Sequence, residues 1–420
     1  MRRLLLLFAL LLAHVILPAQ NSCRTIEYRQ QLLLKRSELS SKILAVESFT
    51  QNFVKSKAYR LQGVNPVSGE TGIITIPVVV HVLYNSSQQN ISDAQIKSQI
   101  DVLNKDYRRL NDDTVNTPSV FRSVAADCGF QFELAKVDPD GYATTGIVRK
   151  KTTIQSFSLG DGIKFSSSGG DDAWDKDSYL NIWVGDLNGG VLGYSSVVGG
   201  PGENDGVVVQ YTAFGTTGTA TAPYNKGRTA THEVGHWLNL IHTWGDTDCG
   251  DDHVDDTPPQ QTSDRGCPGG TVISCNNAPY GNMYQNYMDF TNDECMNLFT
   301  EGQKKRMLAL FQPGGERYSL LSSSKLASTS LQRPALTSTD GNSFVLIYPN
   351  PATENVTIHI SDDISAGSEL EIYNQVGQKV SSLIISQPQF QLNVSSLSRG
   401  VYFMKVNDGK SKLMKKFMKL

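Results

Sequence analysis

Residues Thr231 to Asp246 read THEVGHWLNLIHTWGD, in which three histidines and one glutamate have the spacing HExxHxxxxxH. On an α-helix, His232 and His236 lie one turn apart on the same face, so both imidazoles can bind one metal ion. Glu233 is not needed as a ligand and is placed to take a proton from water bound to that ion. The stretch therefore predicts an active-site helix that carries a catalytic zinc ion.

The third histidine, His242, would point away from the other two on a continuous helix. We therefore predict that the helix ends between His236 and His242, near Asn239, because asparagine tolerates the left-handed backbone that ends helices. A chance HExxH occurs in fewer than about 1% of chains of this composition, and the third histidine makes chance rarer still. The residues around the histidines are apolar, which also argues against an ordinary surface helix.

The start of the chain has the layout of a secretory signal peptide. Residues 1–19 carry two arginines, then an apolar run from Leu4 to Leu17, then Pro18 and Ala19. This run is shorter than the roughly 20 residues that cross a bilayer. We expect an exported protein without a membrane span in its mature form. The net charge of −3 gives no sign of a polyanionic partner, and we expect no nucleic-acid partner.

With 420 residues, the chain is long enough for two or three domains. Residues 20–60 are polar and helix-prone and are predicted to be a pro-segment. Residues 61–315 combine buried strand patterns, such as IPVVVHVLY at 76–84, with amphipathic helices, which predicts an α/β domain with a mixed sheet. Residues 316–342 are predicted to be a linker, and short strands in 343–420 predict a small all-β sandwich.

Four of the six cysteines, Cys249, Cys267, Cys275 and Cys295, follow closely after the histidines. They form no CxxC pair, so two disulfides are favoured over a structural zinc site, and the spacing leaves three pairings open. Cys23 stands apart in the predicted pro-segment. Its thiolate is a suitable fourth zinc ligand that would keep the precursor latent until cleavage near Arg60. The alternatives are a disulfide from Cys23 to Cys128 and an idle thiol.

The motif HEVGHWLNLIH resembles the long zinc motif of the metzincin metalloproteases. NYMDFTNDECMNLF, residues 286–299, resembles their second hallmark, the methionine-containing turn beneath the zinc, with Met288 as its methionine. With the cysteines and the acidic loop between them, the chain is most similar to the pappalysin family, especially its small ulilysin-like members. The resemblance extends over roughly residues 70–312 and implies a metzincin domain with a twisted mixed sheet.

This resemblance implies roles for individual residues. His232, His236 and His242 would bind zinc, and Glu233 would be the general base and acid. The implied disulfides are Cys249–Cys275 and Cys267–Cys295. The acidic loop resembles the family's calcium-binding region, with Asp251, Asp252, Asp255, Asp256 and Thr257 as candidate ligands. The alternative for these side chains is a solvated loop.

Two positions depart from the family pattern, and a third implies specificity. Asn239 stands where the family usually has glycine, and Phe290 stands where many metzincins have a tyrosine whose hydroxyl supports the transition state. Asp293 matches an aspartate in the pocket that receives the residue after the scissile bond. The resemblance therefore implies cleavage before Arg or Lys. The alternative is that Asp293 only caps a turn.

Residues 343–420 resemble the sorting domain of proteins exported by the type IX system, on the segments YPNPATENVTI and LSRGVYFMKV. This implies the secretion machinery as a partner and a final location outside the cell or on its surface. A carbohydrate-binding or adhesion sandwich is the alternative.

The expected activity is zinc-dependent hydrolysis of peptide bonds in proteins. The segment Val191 to Val197 is a candidate edge strand that holds the substrate as an added strand, although it also fits an ordinary edge strand. A catalytically inactive binding module and a zinc exopeptidase with a distant glutamate ligand are the remaining alternatives. The intact Glu233 and the closely spaced third histidine count against them.

Overall fold

The computed structural model describes residues 22–56, 72–329, 331, 345–348, 350–360, 367–407 and 412–420. The predicted signal peptide, Arg60 and part of the predicted linker (residues 330 and 332–342) lie outside these residues. The chain divides into two compact units. One comprises Met1–Leu134 and Ile147–Ser323, and the other comprises Ala135–Gly146 and Ser324–Leu420.

The first unit contains five helices and seven strands among its described residues. The helices are α1 (Thr25–Lys35), α2 (Leu39–Lys55), α3 (Asp93–Tyr107), α4 (Arg228–Trp237) and α5 (Glu301–Ala309). The strands are β1 (Ser22–Cys23), β2 (Ile74–Tyr84), β3 (Phe130–Leu134), β4 (Ile147–Lys151), β5 (Leu180–Gly185), β6 (Val191–Ser195) and β7 (Val207–Gln210). The α/β class predicted from the sequence is confirmed.

These strands form one mixed sheet in the order β1-β6-β7-β5-β2-β3, with β4 also paired to β2. All pairs are parallel except β6 with β7, which is antiparallel. The central strand β2 is buried along nearly its whole length, as its continuous apolar run predicts for a strand covered on both faces. The strand β1 belongs to the predicted pro-segment, and it lies on the free edge of β6.

Helix α3 fixes the start of the histidine helix. Its Asp106 carboxylate is buried, accepts a hydrogen bond from Thr231 Oγ1 at 2.8 Å, and pairs with Arg228 Nε at 3.0 Å. Tyr287 donates to the same carboxylate at 2.9 Å. One buried aspartate thus ties α4 to the chain segment that contains Met288.

The predicted protease domain ends at residue 315, whereas the compact unit continues to Ser323. Leu320 lies in the main core, only 2% exposed. Arg317 donates to both carboxylate oxygens of Asp205, at 2.7 and 2.9 Å. Because a buried, bidentate ion pair depends on tertiary contacts, the serine-rich composition of this stretch gives no sign of it.

The second unit contains an all-β sandwich, as predicted. Its seven described strands are β8 (Val345–Tyr348), β9 (Asn355–Ile360), β10 (Glu369–Asn374), β11 (Lys379–Ile384), β12 (Gln389–Asn393), β13 (Gly400–Asn407) and β14 (Lys412–Lys419). They form a four-stranded sheet, β11-β10-β13-β14, and a three-stranded sheet, β12-β9-β8. Alternate residues of both sheets supply one apolar core that includes Ile358, Ile372 and Met404. In neither unit does a described helix have the length and apolarity needed to cross a bilayer.

Candidate metal and catalytic site

Helix α4 ends at Trp237, and the chain turns back directly afterwards. Asn239 has a left-handed backbone, φ 69°, as predicted from its residue type. The carbonyl of Leu240 then accepts from His236 Nδ1 at 2.9 Å. The turn brings His242 back to the face of the helix that carries the other two imidazoles.

The three imidazoles converge on one point. The Nε2 atoms of His232, His236 and His242 lie 3.0 to 3.3 Å from one another. Each Nδ1 has its own hydrogen-bond partner: Tyr287 O for His232, Leu240 O for His236 and the Asp246 carboxylate for His242. Backbone carbonyls can only accept, so the Nδ1 atoms of His232 and His236 carry the protons and their Nε2 atoms present lone pairs.

This donor set fits a tetrahedral metal ion. With metal–nitrogen bonds of about 2.0–2.1 Å, the ligand atoms of a tetrahedral site stand roughly 3.3 Å apart, close to the distances between these nitrogens. Burial and the neighbouring imidazoles lower the pKa of His232 well below its usual range and that of His236 to about 3. Both rings are therefore neutral at physiological pH, as metal ligands must be.

Glu233 lies beside this point on the same helix. It is fully buried, and burial raises the pKa of its carboxyl to about 8, against hydrogen bonds from Cys23 and Thr25. Its Oε2 accepts from Thr25, whereas its Oε1 has no hydrogen-bond partner among the described residues. A Cβ atom at Gly193 on β6 would stand 2.8 Å from Glu233 Cγ, so only glycine leaves room for this side chain.

Met288 lies under the histidine helix, completely buried. Its sulfur occupies the space beside Gly235, where a Cβ atom would stand 2.5 Å from the sulfur. This contact explains why the helix has glycine directly before His236. The methionine turn thus supports the metal-binding face by close packing.

A pocket extends from His232 and Glu233 towards the methionine turn, and Asp293 is among its lining residues. Asp293 Oδ2 accepts from the backbone N–H groups of Lys226, at 2.7 Å, and Arg228, at 3.2 Å. Burial raises the pKa of its carboxyl to about 6. The carboxylate therefore both lines the pocket and holds the start of α4.

Phe290 forms a wall of this pocket beside the metal-binding rings. Its ring lies 4.8 Å from that of His242 and 5.6 Å from that of His232. The guanidinium of Arg265 stacks over it at 4.7 Å. The position therefore presents an aromatic face without a hydroxyl group.

The predicted pro-segment enters this site from the sheet edge. Cys23 is buried, and its sulfur and the three histidines offer ligand atoms that all lie within 4.8 Å of one another. Cys128 is a separate buried thiol in the main core, so the Cys23–Cys128 disulfide considered above is not formed. The Thr25 hydroxyl lies 2.9 Å from Glu233 Oε2 and accepts from Ser195 N at 2.9 Å.

The disulfides are Cys249–Cys275 and Cys267–Cys295, as the family resemblance implied. Within the acidic loop, Asp252 and Thr257 are buried and hydrogen-bonded to each other, and Asp256 accepts from Gly302 N. Asp251 and Asp255 are exposed. Burial raises the pKa of the Asp252 carboxyl to about 7.

Sequence reasoning missed four residues of this site. Asp246 holds His242, and its place four residues after that histidine was a usable signal. Thr25, Gly193 and Arg265 reach the site only through tertiary folding. No local pattern in the sequence marks them.

Comparisons with known proteins agree with this geometry. Residues 166–312 match the peptidase family M43, described as pregnancy-associated plasma protein-A, and residues 346–420 match the secretion system C-terminal sorting domain. An extracellular metalloprotease of Arthroderma otae is 34% identical over 266 residues, which cover 61% of this chain and 85% of the relative.

Two solved structures from Tannerella forsythia are also similar. Mature mirolysin in complex with a cleaved peptide is 49% identical, with a TM-score of 0.58, over 61% of this chain and 97% of that one. A promirolysin mutant is 42% identical, with a TM-score of 0.64, over 74% of this chain and 100% of that one. The larger share matched by the precursor structure indicates that the likeness extends beyond the mature enzyme.

Proposed function

The chain belongs to the pregnancy-associated plasma protein-A family of metalloproteases, with a type IX sorting domain that marks it as secreted or surface-located, and we propose that it is a zinc-dependent endopeptidase made as a zymogen. The observation that carries the proposal is the convergence of three imidazole Nε2 atoms next to Glu233. His232, His236 and His242 would hold the zinc ion.

When bound, zinc supplies Lewis acidity that polarises a carbonyl and lowers the pKa of water towards ~7. Glu233 accepts a proton from the attacking water and returns it to the leaving amine. Its Oε1 has no hydrogen-bond partner among the described residues, and Oε2 becomes available once Thr25 withdraws. Asp246 holds His242 in orientation while the proton moves.

Strand β6 is the proposed support for the substrate backbone. In the precursor its edge pairs with Ser22–Cys23, and Arg24 N donates to Gly193 O at 2.9 Å. Removal of the pro-segment would free these backbone groups for a substrate strand. The peptide bond would then lie next to Glu233 on the neighbouring helix.

Replacement of the general base tests this function. Glu233→Ala should abolish casein hydrolysis while metal content, measured by atomic absorption, stays at one zinc per chain. Glu294→Ala, at an exposed position that does not line the pocket, is the matched control. Hydrolysis that survives in Glu233→Ala would refute the mechanism, and failure to cleave end-blocked peptides would favour an exopeptidase.

We further propose cleavage before Arg, and then Lys. Asp289 and Asp293 line the pocket beside Glu233, and burial raises the pKa of both carboxyls, so a cationic side chain would stabilise their ionised forms. Arg265 lines the same pocket. A guanidinium from the substrate would pair best with a carboxylate through two parallel hydrogen bonds.

Mass spectrometry of a digested proteome measures this preference. Asp293→Asn keeps an acceptor for the start of α4 and should lose the preference for Arg and Lys with zinc content intact. Glu294→Gln should keep the parent profile. A cleavage profile dominated by apolar residues directly after the scissile bond would show that the pocket is misassigned.

We propose that latency depends on Cys23. Its sulfur and one ring nitrogen from each of the three histidines all lie within 4.8 Å of one another. A thiolate there would occupy the position that water needs. In the cobalt-substituted precursor, a thiolate-to-metal absorption band should be present and should disappear in Cys23→Ser. With maturation blocked in both proteins, a Cys23→Ala precursor that is as inactive as the parent precursor would contradict the switch.

Calcium is proposed to bind near Asp252 and Thr257, which are buried together in a loop close to the Cys249–Cys275 disulfide. A buried carboxyl with a raised pKa gains from a bound cation. Calcium should therefore raise the Tm of the zinc-loaded protein, and Asp252→Asn should remove most of that increase. Exposed Asp251→Asn is the control, and an unchanged calcium response in Asp252→Asn would exclude this position.

A further inference from the structure

Tyr28 of the pro-segment is inserted into a pocket of the protease unit that is distinct from the metal site. It is 2% exposed, and its ring lies 5.1 Å from that of Tyr194 on β6. The other buried residues of helix α1 are only Thr25 and Leu32. Tyr28 is therefore the largest of the three side chains that this helix buries, and the only aromatic one.

The pocket is built around a buried lysine. Lys164 is fully buried, and its Nζ lies 4.6 Å from the centre of the Tyr28 ring. The rings of Trp183 and Tyr194 lie 5.5 and 5.4 Å from the same nitrogen. We name Lys164, Trp183, Tyr194, Asp161 and Asn204 the tyrosine cage.

The cage recognises a hydroxyl group as well as a ring. The Tyr28 hydroxyl donates to the Asp161 carboxylate, and it accepts from Lys164 Nζ at 3.3 Å and from Asn204 Nδ2 at 3.1 Å. Three polar groups thus meet on one phenolic oxygen. A phenylalanine would fill the space but leave these groups without that partner, which is costly for buried groups.

We propose that the tyrosine cage is a binding site for a phenolic side chain, through which the pro-segment stays bound as an inhibitor after the chain has been cut between residues 57 and 71. The proposal deepens the zymogen assignment and rests on it. All five cage residues lie after the proposed cut and Tyr28 lies before it, so cleavage changes none of these contacts. Tyrosine is also a residue type in which binding energy commonly concentrates.

The site does not depend on the metal. The cage contains no histidine, and among the described residues the Tyr28 hydroxyl forms hydrogen bonds with cage residues only. The segment should therefore remain bound when zinc is removed or when Cys23 is replaced. A segment held only by its thiol would dissociate in both cases.

The test is made on the full chain with a recognition sequence for a site-specific protease placed between residues 57 and 71. After cutting, dissociation of the labelled N-terminal segment is followed by fluorescence, in zinc-loaded and in chelator-treated protein. The parent segment should stay bound in both, and Tyr28→Phe should weaken it about tenfold or more. Leu34→Ala, at a position of the same helix that is 87% exposed, is the matched control and should change binding less than twofold.

Equal binding of the parent and Tyr28→Phe segments would overturn the proposal, as would release of the parent segment as soon as zinc is removed. Variants that fail to fold as full chains are replaced by synthetic segments added to the cut protein, which tests the same contacts. Peptide hydrolysis is measured separately. A segment that binds through Tyr28 to a protein without peptidase activity would refute the protease proposal while leaving the cage in place.

Discussion

The hydroxyl of Thr25 lies 2.9 Å from the Oε2 atom of Glu233, although the two residues are 208 positions apart in the chain. The same hydroxyl accepts from Ser195 N at the end of β6. Thr25 therefore contacts both the proposed general base and the strand proposed to hold the substrate. On the proposed latency, the pro-segment would therefore block the catalytic apparatus at Glu233 as well as at the metal.

Loss of the Thr25 hydroxyl should raise the residual peptidase activity of the precursor. In a Cys23→Ala precursor, Thr25→Val should raise residual peptide hydrolysis by about tenfold, because the hydrogen bond to Glu233 is worth roughly that factor. Thr25→Ser keeps the hydroxyl and should restore the low level. Equal hydrolysis in the valine and serine variants would show that the contact does not contribute to latency.

Asp246 should control metal affinity through His242. Its carboxylate accepts from the Nδ1 of that ring, which fixes the ring orientation and makes Nε2 a better ligand. Asp246→Ala is expected to weaken zinc binding about 10- to 100-fold in chelator competition. Asp248→Ala, an exposed change in the same loop, should leave the affinity unaltered; if both variants behaved alike, Asp246 would have no specific role.

Gly235 should tolerate no larger residue while Met288 lies against it. Gly235→Ala places a Cβ atom 2.5 Å from the methionine sulfur, and overpacking of this kind costs roughly 1–3 kcal/mol of unfolding free energy. The double variant with Met288→Ala should recover part of this loss in urea unfolding. Gly269→Ala, where the added Cβ meets nothing within 4 Å, is the control. Additive losses in the double variant would contradict direct packing.

Gly193 should be required for catalysis more than for folding. An added Cβ would meet both the Glu233 side chain and the Val208 carbonyl, each within 2.9 Å. Because a displaced general base loses its alignment, kcat should fall by about 100-fold in Gly193→Ala. Circular dichroism and zinc content should stay close to the parent, as they should in the control Gly162→Ala. An unchanged kcat would show that Glu233 adapts without cost.

The metal-binding part of the site could be predicted locally. The spacing of His232 and His236 follows directly from the helical repeat, and the left-handed Asn239 explains how His242 joins them. The continuous apolar run of β2 likewise predicted a strand buried on both faces. In each case, neighbours in the chain are also neighbours in space.

The cysteine pairing and the C-terminal limit of the protease unit could not be predicted from the spacing or composition of the residues. The spacing of four cysteines leaves three pairings, and only the family resemblance selected the observed one. Residues 316–323 have the composition of a linker, yet Arg317 pairs with a buried aspartate more than a hundred positions earlier in the chain. The amino-acid composition of a segment indicates only its average tendency to be ordered or exposed, and it does not reveal a distant ion-pair partner.

The sequence alone determined the three histidines, the glutamate between two of them and the division into an α/β unit followed by a β-sandwich. These features depend on periodicity and turn chemistry, which act over a few residues. Only the tertiary structure decided that Thr25 contacts Glu233, that Gly193 leaves room for it, and that Tyr28 enters the tyrosine cage. The contacts of Thr25 and Tyr28 accompany the addition of a pro-segment strand to the edge of β6, and the register of that pairing is set by packing between segments far apart in the chain.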